Sequence, residues 1–134
     1  MADFTSLKDA AASISDDDLL TLEDVLSSND INVVVHEVPE WVTTKGKPGK
    51  LLLKQFSNDD LMKYGELIEG KASRQANLML VMMSAVKKDG TPFFTQQNLR
   101  ELQKKSAPVF NRIAKAALEL NDVKPGEVAR AKND

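Results

Sequence analysis

The first group of residues that could do chemistry contains His36, the only histidine of the chain, with Glu37 beside it and Glu40 four residues on. These are metal-ligating and acid–base residue types. Neighbouring residues of a strand point to opposite faces, so His36 and Glu37 cannot hold one metal ion together. The HExxH pattern of helical zinc sites is absent. We therefore predict an ordinary strand residue at His36, without a metal or catalytic role.

The second group is the run Asp16-Asp17-Asp18. A calcium loop of the EF-hand type needs spaced acidic residues, a central glycine and a final glutamate, whereas these three acids are contiguous. Acidic residues after a serine are typical of the first turn of a helix, because the helix dipole stabilises carboxylates there. We therefore predict a helix capped by Ser15. Its apolar stripe would consist of Leu19, Leu20, Leu22, Val25 and Leu26.

The third group is the loop from Lys45 to Lys50, which holds three lysines, two glycines and a proline. Its residue types suit a phosphate, but the GxxxxGK[ST] spacing is missing and a leucine follows Lys50. Nucleic-acid contact is the alternative that the lysines leave open, although only one aromatic residue flanks them. No serine, threonine or lysine has an evident base beside it. The sequence therefore predicts neither an enzyme nor a cofactor.

Charge is distributed unevenly along the chain. Residues 1–40 contain ten acidic residues and one lysine, a net charge of −9, and residues 41–134 contain ten acidic and 17 basic residues, a net charge of +7. The absence of cysteine excludes disulfides and thiolate chemistry. The sequence contains no run of 18 apolar residues, so no membrane span is predicted. We expect an acidic N-terminal arm beside a basic body.

Two apolar segments separated by turn-forming residues predict a β-hairpin over residues 31–56. Asn32 to Val38 is rich in β-branched residues, and this first strand is expected to continue to Val42. Pro39 lacks a backbone N–H, which places it at a sheet edge or a bulge. Leu51 to Phe56 is the expected second strand. Because a lone hairpin is marginal in water, helices must cover one of its faces.

Capping residues mark the helices that would supply this cover. Ser57 caps a helix that Gly70 ends, a second helix spans Lys71 to Lys88, and Thr95 and Ser106 cap two more. We therefore predict a mainly α fold, a helical bundle of about four to five helices with one small β-hairpin packed on it. The chain is expected to be a single domain consisting of an acidic arm (1–30), the hairpin (31–56), a helical body (57–121) and a flexible tail (122–134).

Apolar and cationic residues are the candidates for binding. Methionine fills irregular cores and also suits adaptable partner surfaces. The predicted partner-binding residues are Trp41, Lys45, Lys47, Lys50, Met79, Met82 and Met83. The predicted self-association residues of the arm are Leu19, Leu22, Val25 and Leu26. An arm that docks on a neighbouring copy joins two different surfaces, so we expect a ring or a spiral.

Several motifs, taken in order, resemble the tail assembly chaperones of long-tailed bacteriophages of the lambdoid, siphovirus type. The resemblance covers roughly residues 33–121. It rests on Val38-Pro39-Glu40-Trp41, on the helix opening Ser57-Asn58-Asp59-Asp60, on the run from Val86 to Thr95 with its D-G-x-x-x-F-T turn, and on Ser106 to Ile113.

This resemblance implies a non-enzymatic protein of the infected bacterial cytoplasm that is absent from the mature virion. It would bind and solubilise the tape measure protein and promote polymerisation of the tail tube around it. A longer form made by ribosomal frameshifting would contact the tail tube protein. Two alternatives from other classes stay open at this point, a small DNA-binding regulator that uses the basic loop and a small nucleotide-dependent enzyme.

Overall fold

The computed structural model describes residues 5–121, so the predicted flexible tail, residues 122–134, lies outside the described residues. Within this range the chain forms six α-helices, one short 3-10 helix and a three-stranded antiparallel sheet. This is an α+β fold, and the prediction of a helical bundle with one small hairpin is wrong. The bundle prediction failed because both hairpin strands are long and a third strand, formed after a helix, extends the sheet.

The chain divides into two compact units, residues 1–30 and 31–134. The first contains α1 (Leu7–Ala12) and α2 (Leu22–Ser27). The predicted cap at Ser15 is wrong. Thr21 caps α2 instead, because its side chain accepts a hydrogen bond from the Asp24 amide while the Asp24 carboxylate accepts one from the Thr21 amide. These two reciprocal hydrogen bonds provide acceptors for two backbone amides that have no partner within the helix.

The predicted β-hairpin is confirmed in the second unit. β1 (Val33–Val42) pairs antiparallel with β2 (Pro48–Lys54), and the register shifts between Val38 and Val42. The predicted position of Pro39 at an edge or bulge is also confirmed, since it lies within this irregularity of an edge strand. β3 (Ala85–Val86) pairs with the other side of β2, which gives the order β1-β2-β3.

Of the four predicted helix caps, Ser57 and Ser106 start α-helices, and Thr95 starts the 3-10 helix that leads into a short α-helix. Ser57 forms a capping box with Asp60 at the start of α3 (Asn58–Ile68), and Ser106 caps α6 (Ala107–Leu120). Between them lie α4 (Ser73–Ser84), the 3-10 helix Gln96–Asn98 and α5 (Leu99–Leu102). The helix expected from Lys71 to Lys88 is shorter than predicted because the chain becomes extended at Ala85 to join the sheet.

One core fills the space between the sheet and the helices α3, α4 and α6. Its most deeply buried side chains come from both layers, namely Val38, Leu53, Ile68, Leu80, Val81 and Ile113. The ends of the layers are also joined by hydrogen bonds, because the Gln55 side-chain amide donates to the Leu120 carbonyl and the Phe56 amide donates to Asn121 Oδ1. Within residues 5–121, no helix is long and apolar enough to cross a membrane.

Candidate partner-binding surfaces

The bulge of β1 depends on a glycine in the opposing strand. Val38 pairs with Gly49 and Val42 pairs with Pro48, so the three residues of β1 between Val38 and Val42 have no paired residue in β2. A Cβ atom built on Gly49 would lie 2.2 Å from the carbonyl oxygen of Trp41. Only glycine allows two backbones to approach so closely. The glycine therefore permits the bulge that turns Glu40 and Trp41 toward α6.

Trp41 packs against α6 and links the hairpin to this helix. Its ring meets that of Phe110 edge to face, with the ring centroids 5.5 Å apart. Trp41 is half-buried and Phe110 is buried. Aromatic pairs of this geometry add about 0.5–1.5 kcal/mol beyond the area that they bury. Trp41 is therefore only partly exposed, and its role in binding stays a prediction.

Glu40 and Arg112 form a second link between β1 and α6. Two guanidinium nitrogens of Arg112 donate to the two carboxylate oxygens of Glu40, at 2.5 and 2.6 Å. These hydrogen bonds lower the pKa of Glu40 to about 2 and raise the pKa of Arg112. Because the pKa of Glu40 is lowered on folding, the pair stabilises the fold above the unfolded pKa near 4.5. That contribution disappears as the pH falls toward 2.

A Glu40→Gln variant tests this link. We expect its melting temperature to lie below that of the wild type at pH 7, and we expect this gap to shrink as the pH falls toward 2, where the Glu40 carboxylate becomes protonated. The gap at pH 7 should narrow in high salt because both groups are partly exposed. Thermal denaturation across pH provides the measurement. A gap that persists unchanged at pH 2 would contradict the assigned role of the carboxylate.

An open cavity of about 690 Å³ lies beside this junction, and we call it the aromatic groove. The residues that line it come from β1, β2, the segment after β3, and α5 with the turn that follows. They are Val38, Glu40, Trp41, Val42, Thr43, Gly49, Lys50, Leu51, Phe93, Phe94, Leu102 and Lys105. Most of these side chains are apolar, and the groove is therefore suited to an apolar segment of a partner.

A tight turn positions the two phenylalanines of the groove. The Thr91 amide and hydroxyl both donate to Asp89 Oδ1, and Gly90 adopts a φ of 86°, which favours glycine. These hydrogen bonds also lower the pKa of Asp89. The Phe93 amide then donates to the Ala85 carbonyl, which fixes the segment to β3. Phe93 and Phe94 pack edge to face with centroids 4.9 Å apart, and Phe93 remains exposed.

The cations at the groove differ in their partners. Arg112 is paired with Glu40, which neutralises the carboxylate that lines the groove. Lys50 and Lys105 form no ion pair with any residue in the range 5–121. The groove therefore combines an apolar interior with two unpaired positive charges.

The structure separates the three lysines of the predicted contact loop. Residues 43–47 form a closed turn, in which the Thr43 amide donates to the Lys47 carbonyl and Gly46 adopts a φ of 79°. Lys45 and Lys47 are exposed on this turn, whereas Lys50 lies within β2 and lines the groove. The loop is thus shorter than expected because β2 already begins at Pro48.

The predicted methionine surface lies largely in the core. Met79 and Met82 are buried and Met83 is half-buried on α4, which packs between α3 and α6. These side chains fill space among neighbouring helices, the commoner use of methionine. We therefore leave them out of the surface proposed below.

The predicted self-association residues are all exposed. The exposed fractions of the Leu19, Leu22, Val25 and Leu26 side chains lie between 54% and 74%. This exposure is what docking on another molecule would require, although self-association itself stays a prediction. No cluster of three or more metal-ligating side chains occurs among the described residues.

Of the groove residues, the sequence analysis predicted only Trp41 and Lys50 to bind a partner, and the residues that it missed include Phe93, Phe94, Leu102 and Lys105. Phe93 and Phe94 belong to the recognised D-G-x-x-x-F-T turn, and two adjacent aromatic residues after a turn could have indicated an exposed site. Leu102 and Lys105 gave no signal, because only the tertiary fold brings α5 and the turn after it to the hairpin.

Comparisons with known proteins give solved structures with the same fold. No model of a known protein family matches the sequence. No curated protein matches it either. The chain is similar to the tail assembly chaperone of bacteriophage HK97, with 20% identity and a TM-score of 0.51 over 74% of this chain and 91% of that one. It is also similar to the protein yqbn, with 14% identity and a TM-score of 0.51 over 79% of this chain and 99% of that one.

Proposed function

We propose that this chain, which has the fold of a phage tail assembly chaperone, is a non-enzymatic chaperone of tail assembly. It would bind the tape measure protein, keep it soluble, and promote polymerisation of the tail tube around it. The site of action would be the cytoplasm of the infected bacterial host, and the protein would be absent from the mature virion. A frameshifted longer form would supply the contact with the tail tube protein.

The observation that carries this proposal is the amount of apolar surface that the described residues leave open. Seven large apolar side chains between Leu7 and Leu26 are exposed, and Val33, Val34, Val35, Val42 and Phe93 add to them in the second unit. Soluble monomers rarely leave extended apolar surface uncovered unless it serves binding. A protein that holds an aggregation-prone partner needs such surface together with charge for solubility.

Weak contacts repeated along an extended partner suit this role better than one tight site. When many copies bind side by side, valency replaces individual affinity. We assign the partner contact to the hairpin turn, where Lys45 and Lys47 are exposed next to the Trp41 anchor. An assembly of many copies would present this turn repeatedly along the partner.

The variant Lys45→Ser/Lys47→Ser tests the assignment. Both side chains are exposed, so we expect the melting temperature to change little, while less tape measure fragment co-purifies with the variant. Lys87→Ser/Lys88→Ser, with two other exposed lysines, is the matched control. If equal amounts of the tape measure fragment co-purified with both variants, the turn would be exposed to solvent without contacting the partner. Binding of duplex DNA that weakens steeply with salt, lost in the turn variant, would favour the DNA-binding alternative instead.

A further inference from the structure

Two open surfaces of this chain are chemically complementary. The apolar stripe of the acidic arm exposes Leu19, Leu20, Leu22, Val25 and Leu26, each at least 54% accessible. Acidic residues flank and interrupt the stripe at Asp16, Asp17, Asp18, Glu23, Asp24 and Asp30. The segment from residue 16 to residue 30 thus combines leucines with negative charge and contains no basic residue.

The aromatic groove has the opposite properties. Trp41, Phe93 and Leu102 give it an apolar interior, and Lys50 and Lys105 give it positive charge. Neither lysine has an ion-pair partner within residues 5–121, and the single carboxylate of the lining, Glu40, is held by Arg112. A neutral or basic segment would fill the interior but would leave both lysines unpaired. An acidic, leucine-rich segment would satisfy both features.

We infer that the acidic arm of one copy binds in the aromatic groove of a second copy. Leucines of the stripe enter the apolar interior, and carboxylates of the same segment approach Lys50 and Lys105. This contact removes apolar area from water on both sides, which is the main driving force for such association. Charge complementarity selects the partner and the orientation.

The inference goes beyond the proposed function, because it assigns a receptor for the arm and needs no tape measure protein. The arm and the groove are different surfaces, so each copy can donate one arm and accept another. Such a heterologous contact continues from copy to copy until it closes into a ring or extends as a spiral. Exposed charges contribute, so assembly should weaken as salt screens them.

Sedimentation velocity of the full chain in low and high salt tests the inference. We expect the wild type to form species larger than dimers in low salt. The arm variant Leu22→Ser/Val25→Ser/Leu26→Ser and the groove variant Lys50→Glu/Lys105→Glu should each self-associate at least about tenfold more weakly, the equivalent of one lost anchor. Lys87→Glu/Lys88→Glu carries the same charge change outside the groove lining and should assemble as the wild type does.

Mixing the two defective variants distinguishes the arm–groove contact from any other interface. The arm variant keeps an intact groove and the groove variant keeps an intact arm, so the mixture should form one-to-one heterodimers that cannot grow. The charge-swapped variant Asp16→Lys/Asp17→Lys/Asp18→Lys/Lys50→Glu/Lys105→Glu should recover assembly. A wild type that stays monomeric in low salt overturns the inference, and so does an arm variant that assembles fully. The inference would also be overturned if the mixture formed no heterodimers and the charge-swapped variant did not assemble.

Discussion

Replacing Gly49 by alanine is expected to destabilise the protein by about 1–3 kcal/mol, the usual cost of overpacking a closed site. The added Cβ would lie 2.2 Å from the Trp41 carbonyl oxygen and 3.4 Å from the Val38 carbonyl oxygen. Because both atoms are backbone, β1 and β2 must separate locally. The free energy of unfolding from denaturant titration gives the magnitude. Emission of the only tryptophan reports whether Trp41 leaves its site on α6.

Gly65→Ala is the matched control for this prediction. Gly65 lies inside α3, and a Cβ atom there would meet nothing within 4 Å. Alanine is the better helix former by about 1 kcal/mol, so this variant should be more stable than the wild type. The same chemical change thus has opposite signs at the two sites. A Gly49→Ala variant as stable as the wild type would contradict the close approach of the strands.

The sheet that contains Gly49 illustrates how far the sequence could predict the fold. Local signals identified the hairpin, the position of Pro39 in the bulge and the helix starts at Ser57 and Ser106, because each depends on neighbouring residues. β3 could not be predicted in this way. Ala85 and Val86 continue the helical pattern of α4, and they become a strand only by pairing with Leu53 and Leu52, more than 30 residues earlier.

The candidate sites show the same division between local and long-range information. Trp41 and Lys50 were predicted to bind a partner, and both line the aromatic groove. Leu102 and Lys105 lie more than 50 residues later in the sequence than either of these two, and their place in the groove follows only from the tertiary fold. The methionines of α4 could have served a core or a surface, and packing on α6 places Met79 and Met82 inside.

The second large effect is expected at Phe110, which is 6% exposed and supports the Trp41 ring. Phe110→Ala should cost about 3–5 kcal/mol, as truncation of a buried aromatic residue does. Trp41→Ala should cost less, because the Trp41 ring is half-buried. Denaturant titration of the two variants and of the double variant measures these costs.

The double-mutant cycle isolates the contact between the two rings. We expect a coupling energy of about 0.5–1.5 kcal/mol, the usual value for an edge-to-face aromatic pair. Strictly additive losses would mean that Trp41 does not anchor the hairpin on α6. Leu118→Ala, a half-buried apolar residue of the same helix, provides a comparison for truncation elsewhere on α6.

The number of chains bound to each tape measure chain tests the proposed chaperone function most directly. The complex would be purified after co-expression with the tape measure protein, and its mass would be measured by sedimentation or light scattering. Coating by weak, repeated contacts predicts many copies of this protein on each tape measure chain, and a soluble partner only when those copies are present. A tape measure protein that is equally soluble without this chain, and recovered without it, would contradict the proposed function.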